Sequence, residues 1–490
     1  MSRKTWTFTF VLLIVLALTN SSVLTTSYLT DQKSNQSNIF QAWTSIEWVQ
    51  TTQADFNAGV LSDVDTSSSP GDVKLATRSD WYNASWTRRC PATITNNTGT
   101  TLSEYQVRVV VSYDSDMRGD FADIRITNSD GITSLPYWIQ SYIASTSAIF
   151  WIKVPSIPSG AKTIYMYYGN QVASSASDGW NTFEFFDDFS SGLSQWTIDT
   201  ENTDKVYIST GAGNPSPSLR HDPDSSQTKN GYFDTRLITN YYKMGNGIIE
   251  YEAYLAGTQR IIHQLGWRVQ SLNFENGYCW RVQTAYSDGG HLRFTGRASW
   301  SPFGTAFNYV SANTWHSVKE IVSGSTYTGY VDGGSAYSGT DGTKLTADYL
   351  VSHVHGVSLN ASSYVLVDNI RVRKYASPEP ITGSGSEEAM FVSTGTIAAP
   401  VLDTGAAGVR WDTIVWDETL QTNTDITFEV RASDTSFAKG DASPSWTSAG
   451  GTSPVTAGLP LGRYKQWRAI LTTSDTSQTP NLEEVRVYYY

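Results

Sequence analysis

Cysteine is nearly missing from this chain. Cys90 and Cys279 are the only two in 490 residues. They fall far apart, so no disulfide framework holds the chain and its cores must hold themselves. Both read as small buried hydrophobes. Charge is scarce too: 16% of residues are charged and the net charge is −12. That sign excludes nucleic acid and an anionic membrane surface as partners, since both reward clustered Lys and Arg. The usual catalytic signatures are absent: no phosphate loop, no G-x-S-x-G elbow, no H-E-x-x-H and no C-x-x-C. Long apolar runs are limited to one, from Trp6 to about Leu18, after a basic M-S-R-K start. It reads as an export signal, preferably a removed signal peptide over residues 1–28. The alternative is a retained anchor, with Val23 and Leu24 lengthening the run toward the ~20 residues a span requires. Either way the mature protein is expected outside the cell or at its surface, touching a membrane only through that segment.

What is present is strand-forming. Hydrophobic residues make up 39%, with 17 Trp and 28 Tyr, enough to bury cores. Ser, Thr and Gly supply polar turns. The length implies two to four domains. Residues 29–77 are polar, with one apolar patch at Ile46 to Val49 and a turn-rich S-S-S-P-G-D at Ser67 to Asp72. They read as a stalk or linker. Strands are expected at Tyr105 to Tyr113, Ala148 to Val154 and Thr163 to Tyr168, which predicts a β-sandwich over 78–178. A second domain spans 179–376, a Pro/Gly/Ser-rich linker 377–388, and a third β unit 389–490. The predicted class is all-β, three consecutive antiparallel sandwiches. The sequons at Asn35, Asn83, Asn96 and Asn360 are no more than chance supplies in so Ser/Thr-rich a chain.

Two resemblances refine this layout. W-Y-N-A-S-W-T-R-R (Trp81 to Arg89), L-P-Y-W-I (Leu135 to Ile139) and W-I-K-V…I-Y-M-Y-Y-G-N (Trp151 to Asn170) resemble a domain of unknown function of prokaryotic cell-surface proteins. F-F-D-D-F…W (Phe185 to Trp196), W-H-S-V…Y-V-D-G (Trp315 to Gly333) and V-D-N-I-R-V (Val367 to Val372) resemble laminin-G and concanavalin-A-like jelly rolls. The last hundred residues look like an accessory sandwich module. The resemblance implies a glycan or another cell-surface polymer as partner. It also implies a structural Ca²⁺ pinning the first and last strands, with Asp187, Asp188 and Asp368 as oxygen ligands. No other cofactor is expected.

The residues offer three candidate chemistries. Glu250 and Glu252 alternate on one strand face, as the carboxylates of concanavalin-like glycoside hydrolases do. Tyr254 stands where a third carboxylate belongs, so an acidic strand face is the preferred reading and catalysis the weaker one. Asn276-Gly277 is the favoured type I′ turn pair. Centring a hairpin there pairs Gln270 with Gln283 and Trp280 with Asn273. Trp267 and Trp280 then face the core, and Arg268, Gln270, Arg281 and Gln283 form an open polar face suited to hydroxyl-rich ligands. His353 and His355 share a strand face, but no third metal ligand can be named. D-S-D-M-R-G-D (Asp114 to Asp120) opens like a calcium loop, yet Arg118 and Arg125 stand where oxygens are needed, so it is set aside. A non-catalytic glycan-binding or adhesion protein ranks first. A self-associating envelope or filament subunit is the alternative, and a polysaccharide-cleaving enzyme the third reading.

Overall fold

The computed structural model describes residues 45–198, 205–213, 217–222, 228–229, 232–257, 259–271, 276–296, 299–357 and 362–490. The export segment at 1–28 lies outside them. The described residues are almost wholly antiparallel strands, with two short helices, Gln53–Asn57 and Gly179–Thr182. No described helix is long and apolar enough to cross a membrane. The chain divides into two compact units: residues up to Ser79 with Ala389–Tyr490, and Asp80–Glu388.

The first unit is a sandwich built from both ends of the described chain. Ile46–Gln50 runs antiparallel to Asn481–Tyr489, which also pairs with Trp411–Thr419. Val60–Ser62 adds to Thr394–Ala398, which lies beside Tyr464–Thr473 and then Thr424–Ser433. Alternation drives the packing: Ile426, Phe428 and Val430 point inward from one strand and meet Trp411, Trp416 and Trp467. Phe56 joins that core from the helix Gln53–Asn57, whose N-terminus Thr52 and Asp55 close as a capping box. The expected stalk is therefore corrected: its described part supplies two strands and core residues to the C-terminal sandwich. A polar surface segment and an edge strand have the same composition. Only the partners, more than 330 residues away, tell them apart.

The second unit holds two sandwiches. The smaller one packs Arg88–Asn96, Gly160–Tyr168 and Arg125–Thr127 against Leu102–Ser112, Ser147–Ile157 and Tyr137–Ile143. The expected linker at 377–388 is also corrected, because Ile381–Ser384 pairs with Arg88–Asn96 as an edge strand.

The jelly roll has two large sheets. Sheet I centres on Gly247–Ala256, flanked by Tyr364–Arg373 and Trp315–Ser323. Sheet II centres on Arg260–Val269, flanked by Asp348–Val357 and Gly277–Gln283, with Tyr232–Met244 beyond. Leu265, Trp267, Tyr278, Trp280, Tyr327 and Val354 fill the space between. The outer face of sheet I meets the smaller sandwich through Trp138, Trp151, Phe183 and Phe186. Phe186 packs so closely on Gly179 that a Cβ there would lie 2.4 Å from the ring. The two quoted motifs L-P-Y-W-I and W-I-K-V thus supply the indoles of this joint.

Candidate functional site

Sheet II carries a polar outer face. One cross-strand row runs Arg236, His353, Gln264, Arg281. The next places His355, Ile262 and Gln283 side by side. All point away from the core because they alternate with the inward set His263, Leu265, Trp280, Val282 and Val354. With its amide nitrogen facing His353 Nδ1 at 2.7 Å, Gln264 accepts from Arg281 Nε at 3.1 Å and Nη2 at 3.3 Å. Arg281 lies 5.5 Å from the Trp300 ring centre. Gln283 donates to Asp288 at 2.5 Å and accepts from Arg260 at 2.9 Å. Arg260 also pairs with Asp288 at 2.7 Å. The rings of His353 and His355 stack 4.9 Å apart. Burial, with His353, Arg281, Arg260 and Arg236 nearby, holds His355 well below its ordinary pKa. The face is therefore a floor of fixed amide, imidazole and guanidinium groups.

The expected polar set is divided by the structure. Arg281 and Gln283 lie on this face, but buried: Arg281 is only 4% exposed. Arg268 leaves it. A register shift falls between Gly266 and Val269, and Arg268 adopts φ +53°. Its guanidinium reaches the carbonyls of Gly324 and Lys344, Tyr327 Oη and Asn246 Oδ1, at 2.9 to 3.1 Å. Gln270 is exposed beyond the strand end and accepts from Asn276 at 3.3 Å. The hairpin register is corrected as well: Gln283 faces Ile262, not Gln270, and Trp280 faces Leu265. Asn276-Gly277 is not the centre of a two-residue turn. Glycine is needed there because a Cβ on Gly277 would lie 2.8 Å from the Val269 backbone. Gln264 and Arg236 escaped the sequence reading: Gln264 lies before the hairpin read over 267–283, and Arg236 lies on a separate strand, Tyr232–Met244, brought beside it only by long-range pairing. Alternation along R-I-I-H-Q, read from its N-terminal end, is the signal that finds Gln264.

The two acids lie on sheet I, at the joint. Glu250 Oε2 accepts from Arg371 at 2.9 Å and Oε1 from Arg373 at 3.2 Å. Burial opposes ionisation of Glu250, but Arg373 and Arg371 outweigh it and hold its pKa at about 2. Glu252 is the reverse. Burial pushes it up to about 7; Arg371 opposes this, while Glu250 and Asp332 add to it. A carboxylate clamped by two guanidiniums has no oxygen left for a sugar carbon, which argues against Glu250 as a nucleophile.

The calcium ligands do not converge. Asp187 accepts from the Trp196 indole at 2.8 Å, the Phe189 amide at 2.7 Å and Gln195 at 3.1 Å. Asp188 caps its own turn at Ser190. Asp368 accepts from the Asn369 amide at 2.7 Å, opposite Glu252 on the neighbouring strand. Hydrogen-bond donors thus occupy the lone pairs a Ca²⁺ would need. Among the described residues, the close metal-type grouping is Asp114 and Asp116, from the loop set aside above, with Glu387. Arg88 already neutralises it, 2.8 Å from Asp116 and 3.2 Å from Glu387.

Residues 120–199 match a family model described as a domain of unknown function, DUF2341. That stretch carries Trp138, Trp151, Phe183 and Phe186, so it runs across the joint into the jelly roll. No curated protein matches the chain. Among solved structures, the chain is similar to the carbohydrate-binding module CBM66 from Bacillus subtilis, at 14% identity and TM-score 0.28, over 37% of this chain and 97% of that one. It is similar to a Bacillus licheniformis β-glucanase at 13% identity and TM-score 0.28, over 39% and 98%. It is also similar to a Bacteroides ovatus mixed-linkage glucan GH16 protein at 9% identity and TM-score 0.31, over 38% and 99%. The all-β class rests on the strands themselves, which form antiparallel sheets among the described residues.

Proposed function

We propose that this protein is a secreted or cell-surface, non-catalytic carbohydrate-binding protein whose ligand lies on the outer face of sheet II. The observation that carries the reading is the half-buried Trp300 ring set against the row Arg236, His353, Gln264, Arg281, whose members are themselves less than a tenth exposed. Amide and guanidinium groups fixed by their neighbours offer several directed donors, which suits a polyhydroxylated ligand, and an indole offers a flat apolar surface. The basic-then-apolar start of the chain supports export.

A glycan array probed with the full chain tests this. At least one retained glycan should lose at least tenfold in affinity with Trp300→Ala or His355→Ala, and no retained glycan should be shortened on incubation. An array that retains nothing sinks the binding reading. Release of shorter sugars sinks the non-catalytic one. N-terminal sequencing of protein from the culture medium and the membrane fraction tests the export signal, and an intact N-terminus in the cytosol overturns it.

A further inference from the structure

The joint between the smaller sandwich and sheet I is not closed along its whole length. On one side of Glu252 lies a cavity of about 500 Å³, walled by Arg108, Trp151, Lys319 and Tyr330. On the other lies one of about 700 Å³, walled by Tyr142, Ser177, Asp188 and Asn369. Gln140, Glu252 and Arg371 line both, so the two cavities are lobes of one groove with these three side chains at its waist. Each lobe has the size of a small-molecule site, about 300–1,000 Å³.

Most charges along the groove are already matched. Arg371 and Arg373 hold Glu250, and Arg373 and Lys319 hold Glu379. Glu252 differs from these. Its side chain is mostly buried, yet among the described residues no hydrogen bond reaches its carboxyl. Gln140 gives its oxygen to the Trp151 indole at 2.8 Å, which leaves its amide nitrogen for the groove. A joint that served packing alone would place apolar groups at its waist, because a secluded polar group without a partner costs stability. Tyr142 is 52% exposed beside this waist, a large ring left in water.

We propose that this groove is a second ligand site, taking an uncharged oligosaccharide whose hydroxyls bond the Glu252 carboxyl and the Gln140 amide. Tyr330 in one lobe and Tyr142 in the other offer flat faces for sugar rings. An anionic ligand fits poorly, since the two central guanidiniums are already paired with Glu250. The ligand class rests on the carbohydrate-binding reading above; the location does not. The smaller sandwich then contributes half of a binding site, through the two strands that carry Gln140 and Trp151.

Isothermal titration of the full chain with neutral hexasaccharides of glucose, mannose and fructose tests the site. At least one sugar should bind with an affinity that falls tenfold or more in Gln140→Ala and Glu252→Ala. Tyr142→Ala, at an exposed position that folding does not need, should weaken it at least threefold. The same binding should survive His355→Ala on sheet II. If Glu252→Ala fails to fold, Gln140→Ala and Tyr142→Ala decide. Binding lost in His355→Ala and untouched by Gln140→Ala and Tyr142→Ala overturns the groove and leaves the sheet II site standing. Binding that behaves the opposite way supports the groove. Failure of all three sugars to bind overturns the groove.

Discussion

The guanidinium of Arg373 lies 4.5 Å from the centre of the Trp151 ring. It also bonds Glu250 at 3.2 Å and Glu379 at 2.6 Å. One residue of the jelly roll's closing strand therefore joins a buried acid, a surface acid and an indole of the smaller sandwich. Arg371 repeats the arrangement over Trp138 at 5.4 Å. The joint is ionic at its centre and aromatic at its edges, and it makes the two sandwiches one unit.

Breaking this network should be costly. Arg373→Ala strands a buried carboxylate and uncovers an indole, so it should destabilise the Asp80–Glu388 unit by about 3–5 kcal/mol. Urea denaturation followed by Trp fluorescence measures this. A loss below about 1 kcal/mol would mean the network is only decoration on an apolar joint.

Phe56 separates the folded N-terminal segment from a stalk. It is 1% exposed in the core of the C-terminal sandwich. Phe56→Ala should therefore cost about 3–5 kcal/mol in the unfolding of that unit. A stalk residue would cost nothing, and an unchanged transition would restore the stalk reading.

Two buried groups set opposite pH limits. Glu252 titrates at about 7 when folded against an ordinary 4.5, so the folded state holds its proton more tightly. The stability this contributes is complete below 4.5 and is lost as pH rises through 7. Glu252→Gln should gain on the natural protein between pH 5 and 8, by about 1–3 kcal/mol. Parallel stability curves across that range would refute it.

His263 acts on the acid side. Burial lowers it from 6.5 to about 3. Its contribution is complete above 6.5 and is lost as pH falls toward 3. His221 behaves alike, and both bond Ser352 Oγ, at 3.0 and 3.2 Å. His263→Gln should lose less stability than the natural protein between pH 6.5 and 4. Melting curves at those two values decide, and equal losses would mean other groups govern acid unfolding.

Thiol chemistry should distinguish the two cysteines. Cys279 is fully buried, and burial pushes its thiol pKa upward; Cys90 is half-buried. A thiol reagent should modify at most one cysteine before unfolding and both afterwards. Rapid native reaction of both would contradict the burial of Cys279.

The all-β class was legible from the sequence because its causes are local. Strands such as Leu102–Ser112 and Ser147–Ile157 show themselves by alternation and by the Pro and Gly that bound them. The inward turn of Trp267 and Trp280 followed from the same two-residue period. Tertiary structure decided what depends on distant partners. Ile46–Gln50 is a strand because Asn481–Tyr489 is there to pair with it. Arg268 leaves the polar face because one bulge resets the alternation beyond Gly266, and a one-residue slip exchanges the two faces of a strand. Glu250 and Glu252 look alike two residues apart. Only the fold, which brings Arg371 and Arg373 to one and an open groove to the other, makes the first a fixed charge and the second an acid near neutrality. Local periodicity sets which elements form, whereas long-range pairing and the electrostatic surroundings it creates set what each side chain can do.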